Sequence, residues 1–542
     1  EALANFCFLP AGRILAGAGT GRQVTLFNCF VMGTIPDDMS GIFEALKEAA
    51  LTMQQGGGIG YDFSTLRPKG AQVKGVGADA SGPLSFMDVW DAMCRTIMSA
   101  GYRRGAMMAT MRCDHPDIEA FVEAKQSAGR LRMFNLSVLV TDPFMEAVKA
   151  DSPWELSFAG TSYRTLKARD LWEKIMRATF AYAEPGVIFI DRINRRNNLD
   201  YCETITATNP CGEQPLPPYG ACLLGSVNLA RLVQNPFEGD AGIDTAKLEE
   251  LTATAVRMLD NTIDASLYPL PAQRHEAEAK RRIGLGITGL ADALIQCNAR
   301  YDSLQGRDMA AGWMRTISRS AYLASAELAA EKGAFPLYEA ESYLAGENLG
   351  TMDDDVRSAI STHGVRNSLL TSIAPTGTIS LLADNVSSGL EPVFSFTHKR
   401  SLLMPNGTRR EVDVADYAFR QFRLLRGENA PLPPAFVDSQ SLSPSDHVQM
   451  QAVIQQFVDS AVSKTINMPA DISFEGFQDV YLEAYETGCK GCTTFRPNEV
   501  TGAVLTTPTE VGRDEPELPL EAPKVRAKPT VGDLDASAIV YM

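Results

Sequence analysis

The chain has 542 residues, 45% of them hydrophobic, and a formal net charge of −16 at pH 7. This length predicts about three or four average domains or one large α/β barrel, with enough apolar side chains for a large core. The acidic balance and the lack of a lysine-rich stripe argue against nucleic acid as a partner, because binding to a phosphate backbone needs a clustered basic surface.

The sequence shows no signal peptide and no run of about eighteen apolar residues, so we expect no membrane association. Its ten unevenly spaced cysteines do not form the pattern of a secreted disulfide framework. We therefore expect a cytoplasmic protein whose thiols stay reduced and available for chemistry. Residue 1 is Glu rather than Met, and we expect both ends to be trimmed.

The N-terminal region alternates apolar segments with glycine-rich turns. Val24–Met32 has the pattern of a strand, and a helix is predicted over Gly41–Gln55, where Gly56–Gly58 ends it. Gly58–Ile59–Gly60 would let another part of the chain approach the backbone closely, although a tight turn alone is the alternative.

Two polar, glycine-rich loops, Arg67–Gly82 and Gly101–Met108, flank an amphipathic helix predicted over Phe86–Met98. Arginine forks suit phosphates and bases, and lysine adds a point charge. The candidates for binding phosphate or base are Arg67 and Lys74 in the first loop and Arg103 and Arg104 in the second. The alternative is that both loops are ordinary solvated surface without a binding role.

Helical and strand patterns alternate from Asp170 onward. The predicted helices are Asp170–Ala183, Thr245–Ala265, Thr288–Cys297, Met309–Lys332, Ser445–Val462 and Phe474–Thr487. The predicted strands are Val187–Ile190, Ser368–Ile373, Thr465–Met468 and Cys492–Phe495. Such alternation indicates an α/β fold with parallel sheet and covering helices. Beyond these elements, Glu510–Asp533 has the composition of a linker.

Thr208–Glu213 reads Thr-Asn-Pro-Cys-Gly-Glu, and its proline and glycine predict a loop with a fixed path. In an extended segment Asn209, Cys211 and Glu213 would point the same way, so that an amide, a thiol and a carboxylate face one substrate. The alternative is that Cys211 is a buried small hydrophobic residue. A core position would not usually be flanked by polar and helix-breaking residues.

Ser368–Ile373 runs into the sequence Ala-Pro-Thr-Gly-Thr-Ile and then into an apolar segment, the order of a strand, a turn and a helix N-terminus. Exposed amides, hydroxyls and the positive end of the helix dipole can hold an anion without any lysine. The residues that would surround a substrate phosphate are Pro375, Thr376, Gly377, Thr378 and Ile379. A simple helix cap is the alternative.

Cys489 and Cys492 form a Cys-x-x-Cys motif at a predicted helix-to-strand joint. A zinc site would need a second pair of ligands. We therefore favour a structural role for this pair over a redox role.

Three motifs together resemble the catalytic chain of ribonucleotide reductase. They are Asn-Pro-Cys-Gly-Glu at 209–213 with the later Cys222, Phe27–Asn28–Cys29, and Ala374–Thr378, and the likeness runs in the family's order from about Leu9 to Pro497. The resemblance implies a ten-stranded α/β barrel of two five-stranded half-sheets, with a central finger loop that carries Cys211.

Residues 1–500 would then form the catalytic barrel, with an effector-binding and dimerisation region at about 35–125. Residues 501–542 would be a tail rich in Pro and charge.

The resemblance also implies an enzyme that reduces ribonucleotides, with diphosphates as the expected substrates. Cys211 matches the cysteine whose thiyl radical takes the 3′-hydrogen, Glu213 the base for the 3′-hydroxyl, and Asn209 the amide that orients the ribose. Cys29 and Cys222 match the dithiol that ends as a disulfide. A thioredoxin-like protein or another dithiol would regenerate that pair.

Further site residues follow from the same resemblance. Asn28 and Gly58 would contact the substrate. A deoxynucleoside triphosphate effector would bind in a homodimer to Asp37, Asp38, Arg67 and Lys74, and the loop with Arg103 and Arg104 would pass base identity to the active site.

The source of the radical differs among classes of the family. Lys464–Pro469 lacks the tyrosines that relay a radical from a metal-containing subunit, and the glycyl-radical motif is absent, so the resemblance implies adenosylcobalamin. Neither Asp114–His115 nor Asp446–His447 completes Asp-x-His-x-x-Gly, so the cofactor should keep its own base on cobalt. The alternatives are a metal-radical catalytic subunit that needs a second subunit, and a non-catalytic nucleotide-binding homologue.

Overall fold

A computed structural model describes residues 1–73, 77–99, 103–126, 129–403 and 409–497 of the protein. Lys74 and the predicted tail at 501–542 lie outside these residues, so the predictions for them stay predictions.

Five strands of the first part of the chain form one parallel group, each hydrogen-bonded to the next. They are β1 (Cys29–Val31), β2 (Gly58–Asp62), β3 (Met107–Arg112), β4 (Phe134–Val140) and β5 (Gly186–Phe189). The last three are buried along almost their whole length, as expected of parallel strands covered on both faces.

A second parallel group follows. Its strands are β7 (Leu224–Asn228), β8 (Gly284–Thr288), β9 (Thr465–Asn467) and β10 (Gly491–Phe495), after the two-residue β6 (Ala221–Cys222). β7 pairs with β8 and β9 with β10, while parallel bridges from Leu285 to Thr371 and from Ile373 to Val462 lie between those two pairs. Phe8–Pro10 adds an antiparallel edge to β7.

The two groups meet in antiparallel pairs. β5 pairs antiparallel with β10, and β1 pairs antiparallel with β6. The larger sheet therefore has eight strands in the order β6-β1-β2-β3-β4-β5-β10-β9. The predicted α/β class with parallel sheet is confirmed in this mixed architecture.

Helices cover these sheets. The main ones are α1 (Met39–Gln54), α2 (Pro83–Thr96), α3 (Ala168–Tyr182), α4 (Thr245–Ala265), α5 (Pro271–Lys280), α6 (Leu290–Gln296), α7 (Leu304–Lys332), α8 (Gly377–Leu382), α9 (Tyr417–Arg426), α10 (Pro444–Gln455) and α11 (Phe474–Glu486). The other helices are Gly12–Gly17, Ile118–Val122, Asp142–Ala150, Ile190–Arg195, Ala340–Ala345, Glu347–Gly350 and Asp354–His363. No helix within the described ranges combines the length and apolar character that crossing a bilayer requires.

Several two-stranded hairpins project from this framework. The longest are Pro153–Phe158 with Thr161–Lys167 and Thr397–Leu403 with Arg409–Ala415. Short hairpins pair Gln72–Val73 with Ala78–Asp79, Met98–Ser99 with Arg103–Arg104, Ala207–Thr208 with Pro215–Leu216, and Val233–Gln234 with Gly242–Ile243.

The joint between α2 and β2 shows how the core forms. Trp90 of α2 is fully buried and packs edge-on against Tyr61 and Phe63, with ring centroids 5.7 Å away in both cases. Aromatic rings prefer this T-shaped geometry, which adds to the free energy gained from burial. The amphipathic pattern that predicted this helix therefore has its apolar face on the first parallel group.

The helix predicted over Thr245–Ala265 is confirmed to both ends. The strand predicted over Val24–Met32 is wrong outside Cys29–Val31, because the backbone N–H of Leu26 donates to the Ser266 hydroxyl and that of Phe27 to the Thr25 hydroxyl. Those amides bond to side chains, so they do not extend the sheet.

The helix predicted over Ser445–Val462 is wrong beyond Gln455. The chain there runs beside the segment around Thr371 and Ile373 instead. The N–H of Ser460 donates to the Thr371 carbonyl at 3.1 Å and that of Ser463 to the Ile373 carbonyl at 2.8 Å. The predicted helix Thr288–Cys297 also begins late, since Thr288 ends β8.

Asp260 on α4 is fully buried among basic side chains. Its carboxylate accepts from Arg281 at 2.8 Å and from Asn367 at 3.0 Å, and it lies 3.5 Å from Lys332 and Arg366. The cluster joins α4 and α7 to two further segments. Arg281 lies just before β8, and Arg366 and Asn367 lie just before Thr371.

Replacing Asp260 with Ala should lower the free energy of unfolding by about 3–5 kcal/mol, because it removes a fully buried carboxylate and leaves the buried Arg281 with only the exposed Asp264 as its acidic partner. Asp264 provides the matched control, since it also pairs with Arg281 at 2.8 Å but is 55% exposed. Asp264→Ala should cost about 1 kcal/mol or less. Urea unfolding followed by tryptophan fluorescence measures both, and equal losses would contradict this account.

Candidate active site

The predicted loop at Thr208–Glu213 is the tip of a short hairpin. Ala207 pairs with Leu216 and Thr208 with Pro215, so both arms are fixed by backbone hydrogen bonds. We call residues 207–216 the finger loop. The expectation of a loop with a fixed path is confirmed.

The tip is a tight turn, so the extended conformation expected for Asn209–Glu213 is wrong. The Asn209 N–H donates to the Gln214 carbonyl at 3.2 Å, and the Gly212 N–H donates to the Asn209 carbonyl at 3.1 Å. The Asn209 side-chain oxygen accepts from the Gln214 N–H at 3.0 Å. Gly212 has φ +80°, a conformation that glycine adopts without strain.

Both parallel groups hold the finger loop. From β4, the Asn135 amide donates to the Pro210 carbonyl at 2.8 Å. From the other side, the Ser372 hydroxyl and the Ala461 N–H donate to the Glu213 carbonyl at 2.9 and 3.0 Å. Sequence reasoning missed Asn135 and Ser372, because only the fold brings them near their partners in the finger loop.

Two glycines of β2 make room for the finger loop. A Cβ atom on Gly60 would lie 1.9 Å from the Thr208 carbonyl oxygen. A Cβ atom on Gly58 would lie 3.1 Å from Cys29 Sγ and 3.3 Å from Pro210 Cγ. The predicted close approach at Gly58–Gly60 is therefore an approach of the finger loop, with Gly58 between that loop and Cys29.

Asn209 and Glu213 are buried at 0% and 2% exposure, whereas Cys211 between them is exposed. Burial raises the pKa of Glu213 to about 7, and the neighbouring Asn209 amide offsets this rise in part. Within the described part of the chain, Asn209 Nδ2 and Glu213 Oε2 have no hydrogen-bond partner. A buried amide and carboxyl with unused capacity are suited to bind a polar ligand.

Cys29 and Cys222 come together in the backbone, although they are far apart in sequence. They are directly opposed residues of the antiparallel pair formed by β1 and β6. Such residues have Cα atoms about 4.5–5.5 Å apart, which is within the range that a disulfide requires. Asn28 precedes this pair, and its side-chain oxygen is buried without a partner among the described residues.

The predicted anion loop has the expected turn followed by a helix, here α8, but the strand predicted over Ser368–Ile373 is wrong, because only isolated bridges form there, at Thr371 and Ile373. Pro375, Gly377 and Thr378 are exposed, and Ile379 is buried. The expectation of several open hydroxyls is wrong for Thr376, whose Oγ1 accepts from the Gly389 N–H at 2.7 Å and lies 3.0 Å from Thr288 Oγ1. Its side chain is turned into the protein.

The predicted effector residues only partly come together. Arg67 donates through Nε to the Asp37 carboxylate at 2.8 Å and through a terminal nitrogen to the Asp37 carbonyl. Asp38 caps α1 by accepting from the Gly41 N–H at 2.9 Å. Lys74 and the side chains of Arg103 and Arg104 are not among the described atoms, although both arginines lie on a short hairpin strand.

Cys489 and Cys492 are both buried. Burial raises the pKa of Cys489 to about 12 and also raises that of Cys492. A thiol reacts as its thiolate, so these groups are poor nucleophiles at neutral pH. This burial favours the structural role.

A family model described as "Ribonucleotide reductase, barrel domain" matches residues 27–495. The chain belongs to the ribonucleotide reductase family. A vitamin B12-dependent ribonucleoside-diphosphate reductase of Mycobacterium tuberculosis is 38% identical, covering 93% of this chain and 72% of the relative. A protein of the same name from Thermoplasma acidophilum is 36% identical, covering 94% of this chain and 66% of the relative.

A more distant relative of this ribonucleotide reductase carries a different name. The ribonucleoside-diphosphate reductase subunit alpha of Chlamydia pneumoniae is 26% identical, covering 92% of this chain and 54% of the relative.

Replacing Gly60 with Ala should displace the finger loop of this ribonucleotide reductase. The added methyl group meets a backbone oxygen rather than a flexible side chain, so we expect a loss of about 1–3 kcal/mol in unfolding free energy. Gly312→Ala is the control, because a Cβ atom there meets nothing within 4 Å. That change should add about 0.5–1 kcal/mol to helix α7. Urea midpoints compare the two, and an unchanged Gly60→Ala midpoint would disprove the contact.

Proposed function

We propose that the chain reduces ribonucleoside diphosphates to 2′-deoxyribonucleotides by thiyl-radical chemistry at Cys211. The observation that carries the proposal is the finger tip, where an exposed thiol lies between a buried amide and a buried carboxyl of raised pKa. The relatives from M. tuberculosis and T. acidophilum are named ribonucleoside-diphosphate reductases, which supports diphosphates as substrates.

The reaction replaces a ribose 2′-hydroxyl with hydrogen, which is difficult by ionic means because hydroxide is a poor leaving group. The Cys211 thiyl radical takes the 3′-hydrogen of the substrate and becomes a thiol. The Glu213 carboxylate then accepts the proton of the 3′-hydroxyl, and the Asn209 amide holds the ribose. General base catalysis of this kind is worth about 10²- to 10⁴-fold.

Cys29 and Cys222 supply the two electrons. One of these thiols gives a proton to the departing 2′-hydroxyl, which leaves as water, and the hydrogen of the other thiol ends on C2′, so that the pair becomes a disulfide. Glu213 returns its proton to the 3′-oxygen. Cys211 returns a hydrogen atom to C3′, which restores its radical. A thioredoxin-like protein or another external dithiol must reduce the disulfide before the next turnover. The register that opposes Cys29 to Cys222 supports this role.

The substrate phosphates bind at the start of α8 in this proposal. The exposed Gly377 and Thr378 carry backbone amides at the positive end of the helix. The Thr376 hydroxyl is not among the ligands, because it is already bonded inside the protein. Asn28 and Gly58 would contact the ribose side of the substrate, next to Cys29.

Adenosylcobalamin, when bound, supplies a carbon-centred radical able to take the hydrogen atom of a thiol. The two histidines of the incomplete Asp-x-His motifs support a cobalamin that keeps its own base on cobalt. His115 is buried, with Nε2 3.0 Å from the Leu66 carbonyl oxygen and Nδ1 accepting from Asp117. His447 is buried with Nδ1 2.8 Å from Lys464 Nζ. Neither imidazole is presented to a ligand, whereas Cys211 is exposed.

The relatives' names support the cobalamin class over the metal-radical class. The segment Lys464–Pro469 also lacks a tyrosine that could relay a radical from a second subunit. A non-catalytic nucleotide-binding homologue is disfavoured because Cys29, Asn209, Cys211, Glu213 and Cys222 are all present.

We also propose that the strands close into one ten-stranded barrel around the finger loop. The antiparallel junctions at both sides of the first group support closure, since β6 pairs with β1 and leads through Leu223 directly into β7. The bonds from Asn135 and from Ser372 to the finger tip support the same arrangement. Residues 1–500 would then be one catalytic unit, with 501–542 as a tail.

Allosteric control in a homodimer is part of the proposal. The hydrogen bond from Arg67 to the Asp37 carboxylate keeps both side chains next to the start of α1. This placement supports an effector site for a deoxynucleoside triphosphate there. Met39 and Phe43 of α1 are 61% and 48% exposed, and Val89 of α2 is 37% exposed. These apolar side chains support an interface between two copies of the chain.

Cys211→Ser should abolish deoxyribonucleotide formation, because an alcohol O–H bond is too strong for the serine to carry the hydrogen atom. Nucleotide binding, measured by calorimetry, should be retained. Cys202→Ser is the matched control, since Cys202 is an exposed thiol on the approach to the finger loop and should leave turnover unchanged. Substantial product from Cys211→Ser would end the thiyl proposal.

The activity should depend on the ionisation of Glu213. Its pKa is raised to about 7, and a base must be ionised, so log kcat/KM should rise with pH and level off above about 7. Glu213→Gln should remove this acid limb and lower kcat by about 10²- to 10⁴-fold. An acid limb near the usual glutamate pKa of about 4.5, or none, would show that Glu213 is not the base.

A further inference from the structure

Thr376 is a structural support within the loop to which we have assigned the substrate phosphates. Its backbone is left-handed, with φ +54°, which is costly for a β-branched residue unless its surroundings hold it there. The Gly389 N–H donates to its Oγ1, and its own hydroxyl can donate to Thr288 Oγ1. Two separate segments therefore hold Thr376 through one oxygen.

Ser387 connects both of those segments. Its carbonyl accepts from the Thr288 hydroxyl at 3.0 Å and from the Gly289 N–H at 2.7 Å. Its hydroxyl accepts from the Ala291 N–H at 3.1 Å at the start of α6. Two residues on, Gly389 packs so closely that a Cβ atom there would lie 2.6 Å from the Ala374 carbonyl oxygen.

Asp292 on α6 fixes Ser387 in turn. This carboxylate is fully buried. One of its oxygens accepts from the Ser387 N–H at 2.6 Å, and the other accepts from the Ala418 N–H at 2.8 Å. Asp292 thus ties the segment behind the phosphate loop to the first turn of α9.

A second buried carboxyl, that of Asp416, interacts with Asp292. Asp416 is 3% exposed and caps α9 by accepting from the Phe419 N–H at 3.1 Å. Burial raises the pKa of Asp416 well above its usual range, and the Asp292 charge raises it further. Arg420 opposes this rise only in part, since it is itself paired with Asp384 at 2.7 Å.

The hydrogen bonds assign the shared proton. Two carboxyls in contact away from water do not both ionise. Both oxygens of Asp292 already accept backbone N–H groups, so Asp292 is the anion. Asp416 has an oxygen that is not engaged by Phe419, and this oxygen carries the proton donated to Asp292.

We propose that Asp292, which accepts the N–H groups of Ser387 and Ala418, is a positioning residue that fixes Ser387–Gly389 and, through Thr288 and Thr376, the amides that bind the substrate phosphate. The inference rests on the phosphate-binding role proposed for that loop. Neither carboxyl touches substrate; each acts through the backbone of its neighbours.

Two single variants separate this role from general damage. In Asp416→Asn, the amide N–H₂ replaces the shared proton and the amide oxygen still caps α9, so Kd and KM for a nucleoside diphosphate should stay within about twofold of wild type. In Asp292→Asn, an N–H₂ group faces a backbone N–H and an acceptor is lost. Kd and KM should then rise about tenfold, which corresponds to about 1.4 kcal/mol, while kcat at saturation changes less than about threefold.

Calorimetric titration with a nucleoside diphosphate, together with steady-state kinetics on the loaded enzyme, measures these values. A protein merely damaged by the change would show fewer binding sites and a lower kcat at unchanged KM. Thr288→Val removes the hydroxyl that joins Ser387 to Thr376. It should therefore raise Kd and KM as Asp292→Asn does, and it replaces that variant in the test if Asp292→Asn does not fold. Asp244→Asn is the control. Asp244 caps α4, so this change should leave Kd and KM unchanged.

Equal effects of Asp292→Asn and Asp416→Asn, or an unchanged KM in both Asp292→Asn and Thr288→Val, would overturn the positioning role alone. A wild-type protein that binds no nucleoside diphosphate would overturn the proposed function, and this role with it.

Discussion

The close passage of the Thr208 carbonyl over Gly60 is the constraint on which the site depends. With any side chain at Gly60, the finger loop could not lie against β2 at this distance. Hydrogen bonds to two backbone carbonyls then hold the tip. Asn135 donates to the Pro210 carbonyl, and Ser372 and Ala461 donate to the Glu213 carbonyl. Bonds to main-chain atoms at several points leave the position of Cys211 little freedom, which is what chemistry on a single hydrogen atom requires.

The same packing sets the electrostatics. A turn that is bonded to strands on both sides excludes water from Glu213, and burial rather than a neighbouring charge is the main cause of its raised pKa. Cys211 stays exposed because Gly212 allows the chain to reverse direction beside it. One turn thus places a buried carboxyl, whose pKa is raised to about 7, two residues from an exposed thiol.

Much of this could be predicted from the sequence. The periodicity of apolar residues predicted the long helices, and both ends of α4 were correct. The motifs around Asn28, Cys211 and Thr376 identified the family. Predictions failed where backbone amides bond to distant groups: Leu26 bonds to Ser266, and Ser460 joins the segment at Thr371 instead of extending α10. Local patterns do not contain such partners.

The supporting residues of the site were also beyond local reasoning. Asn135 binds the finger tip from 75 residues away, and Asp292 meets Ala418 from 126 residues away. The inward turn of the Thr376 hydroxyl depends on Thr288 and Gly389, which only the fold brings near. Sequence motifs therefore indicated the groups to which we assign the chemistry, while the residues that hold those groups became visible only in three dimensions.

The most direct test of the account is turnover by the purified chain alone. A ribonucleoside diphosphate, adenosylcobalamin and dithiothreitol would be added without any second protein, and the 2′-deoxyribonucleotide would be quantified by chromatography. The account predicts multiple turnovers under these conditions. Product that appears only after a metal-containing subunit is added would contradict it.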